Sequence, residues 1–117
     1  MSDVQQRITD LVKANNVLLF MKGTAAFPQC GFSGRAIQVL KACGVETKDI
    51  ATVNVLEDES IRQGIKEFSN WPTVPQLYIK GEFIGGSDIM MEMYESGELK
   101  ALLASDTDFA ATQSAAP

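Results

Sequence analysis

A continuous run of large apolar residues, Val17-Leu18-Leu19-Phe20-Met21, constrains the fold of this chain more than any other sequence feature. Strands with one solvent-facing side alternate apolar and polar residues, so an uninterrupted run predicts a strand that is covered on both faces. Helices beside the strand can provide that cover. Apolar residues recur at helical spacing on either side of it, at Val4, Ile8, Leu11 and Val12 and at Ala36, Ile37, Leu40 and Cys43.

The second half of the chain predicts three more strands and three more helices. Asp58 and Glu59 suit the first turn of a helix, where negative charge is favourable, and Pro72 must end that helix because proline cannot continue it. Lys80-Gly81 between two short apolar runs predicts a hairpin, and Ser87-Asp88 predicts the cap of the following helix. Strands are predicted at residues 52–55, 77–79 and 82–84.

The resulting order of elements is α-β-α-β-α-β-β-α-α. A β-α-β half supplies a parallel pair of strands, and a β-β-α half adds a hairpin. We therefore predict an α/β thioredoxin-like fold for residues 1–104, with a central four-stranded mixed sheet flanked by helices. Residues 105–117 show no apolar periodicity and predict a flexible C-terminal tail.

Composition and charge exclude several functional classes. The net charge of −5 and the pI near 4.6 argue against a general nucleic-acid binder and against a polybasic membrane anchor. No apolar run approaches membrane-spanning length, and Met1-Ser2-Asp3 does not begin a signal peptide. Two cysteines and no histidine make no disulfide framework and leave few soft metal ligands. We expect a single domain in a reducing cytoplasm, with Cys30 as a free thiol.

The stretch Pro28-Gln29-Cys30-Gly31-Phe32-Ser33 places a cysteine where the second helix is predicted to begin. Ser33 stands where a Cys-x-x-Cys disulfide exchanger has its second thiol. Free backbone N–H groups and the helix macrodipole favour the thiolate of Cys30, and Lys22 can add positive potential. A thiolate is a nucleophile and an iron ligand, and the alternative is a buried structural cysteine. For Cys43, on the apolar face of that helix, a core position is expected instead.

The segment Thr73-Val74-Pro75 is the second candidate part of the site. Only about one X-Pro bond in twenty is cis, so the sequence alone predicts a trans bond before Pro75. In a thioredoxin-like layout, however, a proline leading into the third strand can hold a cis bond beside the cysteine. The cis form would leave the N–H and C=O of Val74 unpaired and facing outward.

Four motifs in this order resemble a monothiol glutaredoxin of the CGFS type. They are Lys22-Gly23, Cys30-Gly31-Phe32-Ser33, Trp71-Pro72-Thr73-Val74-Pro75-Gln76 and Gly85-Gly86-Ser87-Asp88. The resemblance runs from about Val4 to Leu103. The Trp-Pro insertion and the long loop between Lys22 and Cys30 distinguish this type from dithiol glutaredoxins.

The resemblance implies that the chain binds glutathione, whose two carboxylates need cationic or N–H partners. Family members bind the glycine carboxylate through a lysine and an arginine at the positions of Lys22 and Arg62. Lys66 follows Arg62 by one helical turn and would enlarge the cationic pocket. Val74 would pair its backbone with the cysteinyl unit, as an added strand does. For Arg62 and Lys66, a solvated surface charge is the alternative.

The resemblance also assigns the segment Gly86-Ser87-Asp88 to glutathione. Its backbone N–H groups would bind the γ-glutamyl carboxylate, and the Asp88 carboxylate would hold the ammonium group. Relatives vary at Ser87, so we expect its backbone to matter more than its side chain. A plain helix cap is the alternative for Asp88, and it is compatible with the ligand role.

Three functions remain open from the sequence. In the first, a [2Fe–2S] cluster with four ligands is shared across a homodimer, two from Cys30 thiolates and two from bound glutathiones. Such a carrier would act in cluster transfer and iron homeostasis, with apo iron–sulfur proteins as recipients and, as the resemblance implies, a BolA-like protein as partner. In the second, Cys30 catalyses glutathione-dependent thiol exchange. In the third, the domain is an interaction module with an inert thiol.

Overall fold

The computed structural model describes residues 3–104 of the 117-residue chain. Five helices and four strands follow the predicted order within this part of the chain. The helices are α1 (Asp3–Ala14), α2 (Gly31–Ala42), α3 (Glu59–Ser69), α4 (Ser87–Ser96) and α5 (Glu98–Ala104), and the strands are β1 (Val17–Met21), β2 (Ala51–Asn54), β3 (Gln76–Ile79) and β4 (Glu82–Gly85). No helix among these residues is long and apolar enough to cross a membrane.

The four strands form one mixed sheet in the order β2-β1-β3-β4. Strand β1 pairs parallel with β2 and antiparallel with β3, and β3 pairs antiparallel with β4. The prediction of a four-stranded mixed sheet is therefore confirmed. Because β1 ends at Met21 and β3 begins at Gln76, the chain leaves β1 and enters β3 at the same end of the sheet.

The apolar run of β1 explains how the sheet is buried on both faces. Leu19 and Met21 lie in one cluster with buried residues of α2, α4 and α5, whereas Leu18 and Phe20 lie in a second cluster with residues of α1 and α3. Successive side chains of a strand point to opposite faces, so one apolar strand contributes to two cores. Burying a large apolar side chain in this way stabilises the fold by about 1.5–3 kcal/mol.

Several strand boundaries differ from the predicted ones by one residue: β2 begins at Ala51, β3 begins at Gln76 and β4 ends at Gly85. Two further differences have a visible cause. The second strand ends at Asn54, one residue before its predicted end, because the Asn54 side chain accepts a hydrogen bond from the Leu56 N–H at 3.0 Å and begins a short 3₁₀ segment. Helix α4 starts at Ser87 after Gly86 as its N-cap, so Ser87-Asp88 lies inside the first turn and is not the cap. The predicted tail, residues 105–117, lies outside the described residues.

Candidate functional site

Cys30 is the N-cap residue of α2, with extended backbone angles, and its side chain is partly exposed. The surroundings lower the pKa of its thiol. The main cause is the Ser33 backbone N–H, and the Phe32 N–H, the Lys22 charge and the Ser33 hydroxyl act in the same direction, against partial burial. This direction agrees with the prediction that the start of the helix favours a thiolate, because unpaired N–H groups there stabilise negative charge.

A tight loop returns the chain from Lys22 to Cys30. The Gln29 N–H donates to the Lys22 carbonyl at 2.9 Å, and Gly23 forms an isolated bridge with Pro28. Gly23 has φ +94°, and a Cβ there would collide with the backbone of Gln29, so the turn needs glycine. The Gly23 N–H is held by the Asn54 side chain at 2.9 Å, which connects the loop to the end of β2.

Ser33 ties this loop to α2 from inside. It is fully buried, and its hydroxyl oxygen accepts a hydrogen bond from the Lys22 N–H at 3.0 Å. The same side chain contributes to the lowered pKa of Cys30, after the larger effect of the Ser33 N–H. Ser33 was predicted only as a missing second thiol, and the sequence gives no signal for this bond because its partner lies eleven positions away.

The bond between Val74 and Pro75 is cis, so the trans bond expected from the sequence alone is wrong. Among the described residues, neither the N–H nor the C=O of Val74 takes part in a hydrogen bond. The buried Gln76 side chain secures the preceding turn by donating to the carbonyls of Trp71 at 3.2 Å and Thr73 at 3.0 Å. These contacts fix a backbone edge that carries free polar groups beside Cys30.

The start of α4 lies against this edge. A Cβ placed on Gly86 would lie 3.4 Å from the Pro75 carbonyl oxygen and 3.7 Å from the Trp71 indole nitrogen. These are ordinary van der Waals distances, so the first turn of α4 lies next to the cis-proline segment. Ser87 is buried there, whereas Asp88 is exposed.

One pocket of about 420 Å³ collects the predicted site. Its lining includes every residue that the sequence assigns to the site, namely Lys22, Cys30, Arg62, Val74, Gly86, Ser87 and Asp88. Lys66 lines it as well, so three cationic side chains and one carboxylate surround the space. The placement of these residues agrees with the prediction, while their roles toward a ligand stay predictions.

Three large apolar side chains in the lining were not assigned to the site from the sequence. Phe32 is 57% exposed, and Trp71 and Ile89 complete the apolar part of the wall. Trp71 also packs against the ring of Phe83 with their centroids 5.8 Å apart. In the sequence, the only indication that Phe32 and Trp71 belong to the site is their place in the recognised motifs. The residues that line a pocket depend on contacts between segments that are distant in the sequence.

Cys43 lies at the other end of α2 as its C-cap residue. It is 7% exposed within the cluster beneath α2, and burial raises the pKa of its thiol. The predicted core position is confirmed. Since α2 rises by about 1.5 Å per residue, the two cysteines are separated by about 20 Å, far beyond the reach of about 7 Å between the Cα atoms of a disulfide.

The glutaredoxin family model matches residues 17–84. An uncharacterised monothiol glutaredoxin of Synechocystis is 54% identical over 101 residues, which cover 86% of this chain and 92% of that protein. The chain belongs to the glutaredoxin family, in its monothiol type. A mitochondrial monothiol glutaredoxin of Schizosaccharomyces pombe is 51% identical to it over 87% of this chain and 70% of the relative.

Solved glutaredoxin structures have the same fold. Reduced apo GrxS14 of poplar has a TM-score of 0.75 and 48% identity, and the match covers 89% of this chain and 93% of the other. A buckwheat glutaredoxin in complex with glutathione has a TM-score of 0.76 at 24% identity, over 89% of this chain and 90% of that one. The thioredoxin-like fold predicted for this glutaredoxin is therefore confirmed.

Within residues 3–104, no three Cys, His, Asp or Glu side chains come together as a group that could hold a metal ion. Cys30 is the partly exposed thiol of this glutaredoxin, and Cys43 is buried. One chain can thus offer one accessible thiolate, on the wall of a pocket with three cationic side chains.

Proposed function

We propose that this monothiol glutaredoxin binds glutathione in the pocket and carries a [2Fe–2S] cluster shared across a homodimer. The observation that carries the proposal is the single accessible thiolate of Cys30 on the wall of a pocket with three cationic side chains. A cluster of this kind takes four ligands, usually thiolates. Two chains supply two Cys30 sulfurs, and two bound glutathiones supply the other two.

The pocket chemistry matches glutathione group by group. Lys22, Arg62 and Lys66 present positive charge for the glycine carboxylate. The free N–H and C=O of Val74 suit the backbone of the cysteinyl unit, which would add to them as a strand does. The first turn of α4, from Gly86 to Asp88, offers N–H groups to the γ-glutamyl carboxylate and a carboxylate to the ammonium group.

As cargo, the cluster would be held partly by small molecules that dissociate. Half of its ligands are bound to the protein without covalent bonds, so the assembly can release the cluster to an acceptor. We propose apo iron–sulfur proteins as acceptors and a role in iron homeostasis. The predicted cytoplasmic location stays a prediction, and a relative named above is mitochondrial.

The lowered pKa of Cys30 favours a second candidate function, the removal of glutathione from proteins. The Cys30 thiolate would attack the glutathione sulfur of a protein–glutathione disulfide. That disulfide breaks, the protein leaves as a thiolate that takes up a proton, and Cys30 becomes bonded to glutathione. A second glutathione thiolate then attacks this bond, releasing glutathione disulfide and the Cys30 thiolate. Cluster carriage remains the first proposal, and this catalysis the second.

Anaerobic reconstitution with iron and sulfide, with and without glutathione, tests the first proposal. We expect visible charge-transfer bands and a dimeric mass only when glutathione is present. Cys30→Ser should abolish both signals because it removes the accessible thiolate, whereas Cys43→Ser should keep them. Equal loss in both variants would make Cys43 a ligand and overturn the ligand count. A colourless wild-type protein that still removes glutathione from a test peptide would favour the second function.

A further inference from the structure

Arg62, a cation of the pocket, is also in contact with a carboxylate of its own helix. Its Nη1 lies 3.8 Å from Oε2 of Glu59, three residues earlier in α3. The other oxygen of that carboxylate, Oε1, accepts a hydrogen bond from the Gln63 side chain at 3.1 Å. Glu59 is therefore anchored by one neighbour on each oxygen. It is not among the residues that line the pocket, so it contacts Arg62 from outside the ligand space.

This ion pair is weak enough for a ligand to compete with it. The Glu59 side chain is 70% exposed and the Arg62 side chain 38% exposed, and their separation is long for a charge-assisted hydrogen bond. Exposed pairs of this kind contribute little to stability and are screened by salt. An anion in the pocket can therefore draw the guanidinium away from Glu59.

We propose that Glu59 is a specificity-determining residue that weakens the affinity of the pocket for an anionic ligand by competing for Arg62. The inference rests on the proposed binding of a glutathione carboxylate at Arg62. A ligand carboxylate must share or replace the contact with Glu59, and it also meets the negative charge that remains nearby. Both effects favour faster release of the ligand, which a carrier with exchangeable ligands requires.

The opposite effect is the competing explanation. Glu59 could hold Arg62 in the orientation that binds the ligand, in which case removing its charge would weaken binding. The two explanations predict opposite signs for one substitution, Glu59→Gln. Glutamine keeps the oxygen that accepts from Gln63 and the length of the side chain, so it changes the charge with little change in shape.

The experiment is calorimetric titration of the full chain with reduced glutathione and with an analogue whose glycine carboxylate is replaced by an amide. Glu59→Gln is expected to bind glutathione about two- to fivefold more tightly at low salt, with a smaller gain at high salt. The amide analogue should show no such gain. Glu82→Gln is the control, because Glu82 is exposed at the hairpin and pairs with Ile79, at the end of β3 away from the pocket.

Arg62→Ala distinguishes failure of this inference from failure of the proposed site. If Arg62→Ala weakens glutathione binding but Glu59→Gln leaves it unchanged or weakens it, the competition is wrong and the pocket assignment stands. If Arg62→Ala has no effect, the carboxylate does not bind at Arg62, so this inference and the assignment of Arg62 to the proposed site both fall, while Lys22 and Lys66 remain as cationic partners. When Arg62→Ala is also present, Glu59→Gln should lose most of its effect on glutathione affinity. An undiminished gain in affinity would show that Glu59 does not act through Arg62.

Discussion

Among single residues, Ser33 links two segments of the pocket that are eleven positions apart, through the bond from the Lys22 N–H to its hydroxyl oxygen. The hydroxyl also lowers the pKa of Cys30, in addition to the main effect of the Ser33 N–H. A serine at this place thus excludes an intrachain disulfide with Cys30 and at the same time supports the reactive thiol. An alanine could do only the first of these.

Ser33→Ala is expected to raise the pKa of Cys30, because the thiolate loses one hydrogen-bond donor and keeps the others. The pH midpoint of Cys30 alkylation should therefore move upward, and the free energy of unfolding should fall by about 1–3 kcal/mol because the Lys22 N–H loses its acceptor. Alkylation rates against pH in a Cys43→Ser background measure the first effect, and urea unfolding measures the second.

The control for this prediction is Ser69→Ala. The Ser69 hydroxyl donates to the Ile65 carbonyl at 2.9 Å within α3, and Ser69 does not line the pocket, so its replacement should leave the alkylation midpoint unchanged. An unchanged midpoint in Ser33→Ala itself would show that the hydroxyl does not reach the thiolate.

The residues of the site could be predicted to different extents. Cys30 was predictable from local chemistry, since a proline- and glycine-containing loop followed by a cysteine is visible in the nine consecutive residues 22–30, just before a predicted helix. Lys22, Arg62, Val74 and Asp88 depended on the family resemblance. The contacts of Glu59 and Ser33 were not predicted. A charged residue on a helix usually faces solvent, and a small polar residue is common near the start of a helix, so the sequence does not distinguish these ordinary positions from a role in the site.

At the scale of elements, the helices and strands followed from apolar periodicity and from glycine and proline positions. The errors lie where a side chain or a glycine overrides the periodic pattern. Asn54 ends β2 early by capping the next turn, and Gly86 caps α4 in place of the polar residue predicted there. The cis bond before Pro75 was also missed by the sequence alone, because it depends on the segments packed around it.

Helix α2 keeps the two thiols apart, and this separation has a chemical consequence. We expect mild oxidation in the presence of glutathione to modify Cys30 alone, since Cys43 is buried and its pKa is raised by burial. A bond between Cys30 and Cys43 should form only together with unfolding of α2, because the intact helix holds them about 20 Å apart.

Peptide mapping without reduction detects the disulfide between Cys30 and Cys43, and circular dichroism measures the helical content of the same samples. The linked peptide should be absent under native conditions, increase in moderate urea, and always accompany a loss of helical signal. The linked peptide in a protein with its full helical signal would contradict the arrangement of α2.

At the scale of the whole molecule, the proposed cluster site is completed only by association. Each chain contributes one accessible thiolate, and the sequence contains no histidine. In the proposed homodimer the cluster and two glutathiones bridge the chains, so little protein surface needs to be buried between them. A dimer held mainly by a bridging group can exchange a subunit for another protein that supplies a suitable ligand.

We propose that a BolA-like protein is such a partner, because proteins of that type carry a histidine that can replace a ligand in the shared site. Displacing one chain removes its Cys30 thiolate and the glutathione in its pocket, so the partner's imidazole would fill one vacated position and a second group of the partner the other. Histidine ligation raises the reduction potential in Rieske centres. We therefore expect the cluster-bound homodimer to convert into a heterodimer with an altered visible spectrum. A BolA-like protein from the same organism is added to the cluster-bound homodimer, and native mass spectrometry and absorption measure the conversion. A variant of that partner without the histidine is the control. A homodimer that persists unchanged at excess partner would remove the proposed partnership, whereas cluster transfer to apo proteins would still stand as a separate activity.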